Sequence, residues 1–325
     1  MKRAVVLMLV LCLFAFAGQA GEKRKISANV ASVYAAEGNI HEGMIKFKEI
    51  VETKTGDRIS ITVHPAGGLG GEREVVEGVS NGTIEMGAHG GMDIFLYMPQ
   101  YEAFEEMFVI RDLAHLNKFW ATLGQEVSKE IEDTKGIMTV GTVPRGSRFI
   151  TANKPIRRPD DLKGMKMRLP DHKFRIRYFE SMGVLPTIVA FPELYMALKT
   201  GVVDSQENPP ETIYNYKYYE TQKYLIPTRH LYASNRYIVS KRWLNRLDAE
   251  DQQIILSSWK EATDYANELV PDPDAYYIDK LVNEKGMIMV EDLDRDAFMK
   301  AAQAIYPEFS GKWKPGFLER VQAIK

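Results

Sequence analysis

Residues 204–208 read Asp-Ser-Gln-Glu-Asn, five polar side chains in a row between Val202-Val203 and Pro209. Upstream, Pro192 suits a first helical turn, and Leu194, Ala197 and Leu198 share one helical face. Gly201 then supplies the left-handed cap that glycine adopts at least cost. The spacing predicts a short helix from Phe191, a stop at Gly201, and a buried strand from Val202 that ends at Pro209. Polar groups in a buried strand cost free energy unless they are paired. Asp204, Gln206, Glu207 and Asn208 must therefore meet one another, a ligand, or both.

The chain around this stretch has 325 residues and is 45% hydrophobic, enough for one large core or two ordinary ones. Lys2 and Arg3 precede an apolar run from Ala4 to Phe16, and Gly18-Gln19-Ala20 offers small residues for a cut. This is the pattern of a secretory signal peptide, and the run is short for a bilayer span. Cys12 sits between Leu11 and Leu13, a poor lipoprotein signal. Cleavage after Ala20 removes this single cysteine, so the mature chain has neither disulfide nor thiolate metal site. Two basic and no acidic residues leave with the leader, taking the formal charge from −2 to −4. Nothing in that balance suggests a nucleic-acid surface.

The mature part alternates strand-like and helix-like segments. Ile26 to Val30 reads as a strand, residues 39–55 as an amphipathic helix closed by Gly56, and Ile59, Ile61 and Val63 as a half-buried strand. That βαβ opening indicates an α/β layer with a mostly parallel sheet. Further strands are expected at 84–89, 136–143, 149–152, 165–169 and 230–240, with a late one at 287–290. Helices are expected at 117–135, 173–183 and 210–224, and from Ala249 to Val270 behind an Asp248 cap. Pro271 and Pro273 interrupt that long helix before the pattern resumes to Glu284, and two more helices finish the chain.

Several motifs match by letter alone. Gly67-Gly68-Leu69-Gly70-Gly71 lacks the Walker lysine and the GxGxxG spacing, so it reads as a turn at a helix N-terminus. Gly78-Val79-Ser80-Asn81-Gly82 matches GxSxG, but its serine ends a helix instead of following a strand. His89 follows a strand, where ligand-facing loops of α/β sheets lie, and reads equally as a bonded loop histidine. Asp204 and Glu207 form a possible acid/base pair, against which stands a hydrogen-bond network bracing a domain crossing. Glu72, Asp161, Glu193, Asp204, Glu207 and the six histidines are not arranged as HExxH, a DxD metal pair or a supported triad.

The run Glu193, Tyr195, Ala197, Leu198, Gly201, Val203, Asp204, Gln206, Glu207, Asn208, Pro209 resembles the signature of the DctP-like solute-binding proteins of tripartite ATP-independent periplasmic (TRAP) transporters. Ser205 stands where that family usually has glycine. The likeness extends upstream through GSRFITANKPIRRPDDLKGMKMRLP and downstream to YYETQKYL. It implies an α/β fold of two lobes with a hinge and a long helix bridging them. It also implies a binding protein, not an enzyme, that takes a small carboxylate in the interlobe cleft and presents it to TRAP membrane permease subunits. The expected protein is periplasmic and monomeric, with no ATP or redox cofactor.

By the same resemblance, Arg148 and Arg168 (the latter in Met167-Arg168-Leu169-Pro170) are carboxylate-binding arginines, Asn208 is the ligand asparagine, and Phe191 is an aromatic wall. A guanidinium forks onto two carboxylate oxygens, which lysine does not. Glu72, His89, Arg145, His172 and Asn235 are further candidate pocket residues, and Glu72 as an acceptor of ligand hydroxyls favours a polyhydroxy acid. The expected organisation is a signal peptide at 1–20, lobe I at 21–145, lobe II at 146–232, and a lobe I return with the bridging helix at 233–272. Residues 273–325 are expected to pack mainly on lobe II. A binding protein that feeds a sensor, or an acid/base enzyme on a small carboxylate, are the rival readings.

Overall fold

A computed structural model describes residues 23–325, so the leader cut and Cys12 lie outside the described residues. Eleven strands are formed among the described residues: β1 (Ile26–Ser32), β2 (Ile59–His64), β3 (Met86–His89), β4 (Ile137–Ser147), β5 (Phe149–Ala152), β6 (Lys166–Leu169), β7 (Leu185–Ile188), β8 (Ser205–Asn208), β9 (Tyr224–Ile226), β10 (Tyr232–Ser240) and β11 (Ile288–Met289). They make two sheets, ordered β2-β1-β3-β10-β4 and β11-β9-β5-β8-β6-β7. The chain is therefore a two-lobed α/β protein with one sheet per lobe.

Strand direction places the functional end of each sheet. β1 runs parallel to β2 and β3, while β10 is antiparallel to both β3 and β4. The C-terminal ends of β1, β2, β3 and β4 thus share one edge of the first sheet. In the second sheet β6 is parallel to β7 and β8, and β5 is antiparallel to β8. The end of β6, the end of β8 and the start of β5 therefore coincide. Ligands of open α/β sheets gather outside such carboxyl ends.

The lobes are joined by very short pieces of chain. Only Arg148 separates β4 of the first sheet from β5 of the second, and residues 227–231 return from β9 to β10. Helix Ala249–Leu269 lies on helix Asn39–Thr55 and on β4. Its inward face carries Ile255, Trp259, Ala262 and Ala266, all buried, and Trp259 stacks on Phe47 with ring centroids 3.9 Å apart. Each such large side chain contributes roughly 1.5–3 kcal/mol by leaving water. After the proline break, helix Pro273–Asp279 packs on helix Pro210–Asn215 and on β4, so the kinked pair spans both lobes. Helix Arg295–Ser310 packs on helix Lys173–Ser181, whereas the last helix, Phe317–Gln322, reaches the 3-10 segment Pro99–Glu105 that follows β3.

Several local expectations are revised. The strand expected from Val202 begins at Ser205, because the Val203 amide is taken by the Ala197 carbonyl (3.3 Å) in closing the helix end, and Val202 is exposed. The helix expected over 210–224 stops at Asn215. Lys217 is left-handed (φ 57), and the chain continues as a 3-10 turn and then β9. The single helix over 117–135 is two, Leu113–Ala121 and Leu123–Lys135. They part at Thr122, whose hydroxyl donates to the Lys118 carbonyl (2.6 Å).

Candidate functional site

β8 lies between β5 and β6, with Asn208 opposite Phe149 and Gln206 opposite both Thr151 and Arg168. Alternation therefore puts Arg168, Gln206 and Asn208 on one face and Glu207 on the other. On the first face runs an unbroken relay: Asn208 Nδ2 donates to Gln206 Oε1 (2.6 Å), Gln206 Nε2 to Thr151 Oγ1 (2.9 Å), and Thr151 Oγ1 to Gln222 Oε1 (3.1 Å). On the second face buried Glu207 accepts from Arg148 Nη2 (2.9 Å) and Nε, and lies 3.0 Å from His230 Nε2. Arg175 stands 3.6 Å away. Burial opposes the Glu207 charge, but Arg148, Arg175 and His230 more than offset it and hold the carboxyl well below its usual range. Asp204 takes no part: it is exposed, and it accepts from the Lys166 amide (3.0 Å). The possible Asp204–Glu207 acid/base pair is thus not assembled, and the polar run satisfies itself as a brace. Ser205 has no left-handed backbone, so a side chain is accommodated where glycine was expected.

Arg148 and Arg168 differ in how far they are already used. Arg148 is committed to Glu207 and also reaches Asn208 Oδ1 (3.0 Å), fixing the amide's orientation. Arg168 makes one hydrogen bond among the described residues, from Nε to the Val189 carbonyl (3.0 Å). Its guanidinium lies 5.8 Å from the Phe191 ring centre, leaving both terminal nitrogens for another partner.

The first lobe supplies the facing wall. Glu72, the first residue of helix Glu72–Asn81, receives the Tyr34 hydroxyl (3.0 Å) and the Gly90 amide (2.9 Å) on Oε1. A Cβ at Gly90 would stand 2.8 Å from the Tyr34 hydroxyl and 3.0 Å from Arg145 Nη1, so glycine is needed for this close approach. Arg145 crosses to the second lobe, donating to Thr212 Oγ1 (2.6 Å), and packs over Tyr34. Phe191 meets Tyr34 edge-on across the cleft (6.3 Å between centroids), and the Tyr216 hydroxyl donates to the Val33 carbonyl.

Together these groups line one cavity between the lobes, with about 520 Å³ of empty space continuous with solvent. Its walls include Glu72, Arg145, Arg148, Arg168, His172, Phe191 and Asn208. His89 and Asn235 do not line it. His89 is buried behind the wall, with Nδ1 accepting the Gly91 amide (3.1 Å) and Asp93 nearby (3.7 Å). Asn235 lies behind Gly90, with neither side-chain polar atom bonded within the described residues. The walls also include Tyr34, Met92, Phe95, Asp171 and Arg175, which were not anticipated. Arg175 is the third residue of a helix whose cap, His172, receives its amide on Nδ1 (3.3 Å).

Comparison with known proteins agrees with this architecture. Residues 30–312 match the family described as bacterial extracellular solute-binding protein, family 7. The chain is 31% identical over 265 residues to the 2,3-diketo-L-gulonate-binding periplasmic protein of Escherichia coli, covering 80% of each. It is 30% identical over 259 residues to the C4-dicarboxylate-binding periplasmic protein of Rhodobacter capsulatus, covering 79% of this chain and 75% of that one. A TRAP periplasmic solute-binding protein from a Polaromonas species, bound to D-erythronate, superposes with a TM-score of 0.85. That pair is 29% identical and covers 93% of this chain and 99% of the other.

Proposed function

The chain belongs to bacterial extracellular solute-binding protein family 7, and we propose from that premise that it captures one small organic acid between its lobes for a TRAP-type permease. The observation that carries this reading is the state of Arg168: buried, charged, and with two terminal nitrogens uncommitted at the ends of parallel strands. A carboxylate accepts both of those donors at once, and Asn208, held by Arg148 and Gln206, has an N–H left to add. Phe191 forms the floor against which the ligand's carbon skeleton lies. Glu72 has one oxygen engaged by Tyr34 and Gly90, and the other is free to accept a ligand hydroxyl, which favours a hydroxy or sugar acid. The relatives' ligands, diketogulonate and erythronate, have that character.

The role is binding without turnover. Glu207 is charge-balanced and sealed, and Asp204 is remote from the cavity, so that pair of acids does not face a ligand. The apolar leader directs the chain out of the cytoplasm, and its removal yields the mature binding protein.

The test is a thermal-shift screen of the ligand-free mature protein against sugar acids, keto acids and dicarboxylates, each paired with its neutral amide. Ligand that binds only the native state raises its melting temperature. At least one acid should do so while its amide does not. No shift with any acid, or equal shifts with acid and amide, would overturn the proposal.

A further inference from the structure

A second constellation stands next to the cavity and shares only His172 with its lining. Glu102 lies on the 3-10 segment Pro99–Glu105 and Glu106 directly follows it, while His172 opens helix Lys173–Ser181 in the other lobe. One donor atom from each of the three lies within 4.8 Å of the others. Glu106 is 1% exposed, and neither of its carboxylate oxygens has a hydrogen-bond partner within the described residues. A buried carboxylate without a single donor is a costly arrangement. Its neighbour Glu105 is different, because it is paired with Arg236. The Glu106 carboxylate instead points toward another carboxylate and an imidazole.

We propose that Glu102, Glu106 and His172 form a binding site for one divalent zinc-class metal ion at the junction of the lobes. Two carboxylates and one imidazole are the donor set such an ion accepts, at about 2.0–2.2 Å from each, and donors grouped within 4.8 Å need only a small inward adjustment of the side chains to share a single ion. A divalent ion neutralises both acids and gives Glu106 the partner it lacks. Three cations oppose the ion: Lys173 and Lys312 near Glu102, and Arg175 near Glu106. Arg175 already lies beside Glu207, which tempers its effect. Coordination through the imidazole also releases the Arg175 amide, but that bond is long at 3.3 Å. Because His172 lines the ligand cavity and the two glutamates do not, the ion would tie a first-lobe segment to a cavity residue of the second lobe.

The experiment uses the mature protein stripped with chelator, then given zinc and passed through gel filtration, with metal measured by mass spectrometry. Wild type should retain one equivalent, and cobalt(II) should give visible absorption bands of an ion held by nitrogen and oxygen. Glu106→Gln keeps the shape and Glu102→Gln alters a half-buried group, so at least one stays folded by circular dichroism. Each folded variant should bind zinc at least about tenfold more weakly, since even outer partners of a metal site are worth 10–100-fold. Retention of well under one equivalent by wild type, or unchanged zinc affinity in the folded variants, would overturn the site.

Discussion

Arg168→Lys separates charge from geometry at the proposed carboxylate anchor. The guanidinium is 4% exposed, hydrogen-bonded once through Nε to Val189, and packed 5.8 Å from the Phe191 ring centre. Lysine keeps the positive charge but offers no planar fork, so one of two parallel bonds to the ligand carboxylate is lost. A hydrogen bond to a charged group is worth about 1.5–3 kcal/mol, and each 1.4 kcal/mol is tenfold in affinity. The expected loss is therefore roughly 10- to 150-fold. The fold should suffer less, because the Val189 carbonyl is one neutral acceptor at a wet cavity and its lost bond is worth about 1 kcal/mol. Titration calorimetry with the acid identified by thermal shift measures the first quantity, and urea denaturation of the ligand-free protein measures the second. Equal affinity in wild type and Arg168→Lys would refute the forked contact. A stability loss as large as the binding loss would show that Arg168 serves the fold and not the ligand.

The other expectations follow from the braces around the site. Arg148→Met should cost about 3–5 kcal/mol in urea denaturation, because it strands Glu207 as a buried charge with only Arg175 and His230 nearby. A loss under about 1 kcal/mol would contradict this. Gly146→Ala should destabilise by about 2 kcal/mol or more, since φ is 80° there and a Cβ would stand 2.2 Å from Asp274 Oδ1. Asp274→Ala should recover part of that loss in the double variant. Glu126 is held down to about 2 by Arg320 and Lys314, so its stabilisation is present above its ordinary value of 4.5 and fades as pH falls toward 2. The pair is partly exposed and screened, so the effect is small. Glu126→Gln should lower the melting temperature at pH 7 but not at pH 2, and a deficit that persists at pH 2 would refute the assignment.

Much of the candidate site was legible because its residues fall in motifs that resemble the family's. Arg168, Arg148 and Asn208 were legible through the family resemblance, and the fold places them at one edge, with Arg168 near the end of β6, Asn208 at the end of β8 and Arg148 just before β5. Tyr34 and Arg175 were not legible. Tyr34 follows β1 at a position with no periodic signal, and its use depends on Glu72 arriving from 38 residues away. Arg175 stands in the series Lys173, Arg175, Arg177, and nothing local distinguishes it from Arg177, which pairs with Glu308 at the surface. The broken tyrosine helix failed for a related reason. The tyrosines at 214, 216, 218 and 219 suit several packings, and the choice is made by aromatic neighbours such as Phe191 and Tyr277, which come from elsewhere in the chain.

The passage from β4 to β5 through a single residue has a mechanical meaning. If the lobes rotate about their connections, displacement grows with distance from the axis, and a residue on the axis hardly travels. Arg148 is that residue, and its bonds to Glu207 and Asn208 lie within the second lobe. The residue that orients Asn208 beside Arg168 thus sits at a fulcrum. Tyr34 and Glu72 stand on the arm that swings. On the proposed binding role, a ligand is held beside the fulcrum first and enclosed afterwards, an order that follows from where the chain crosses.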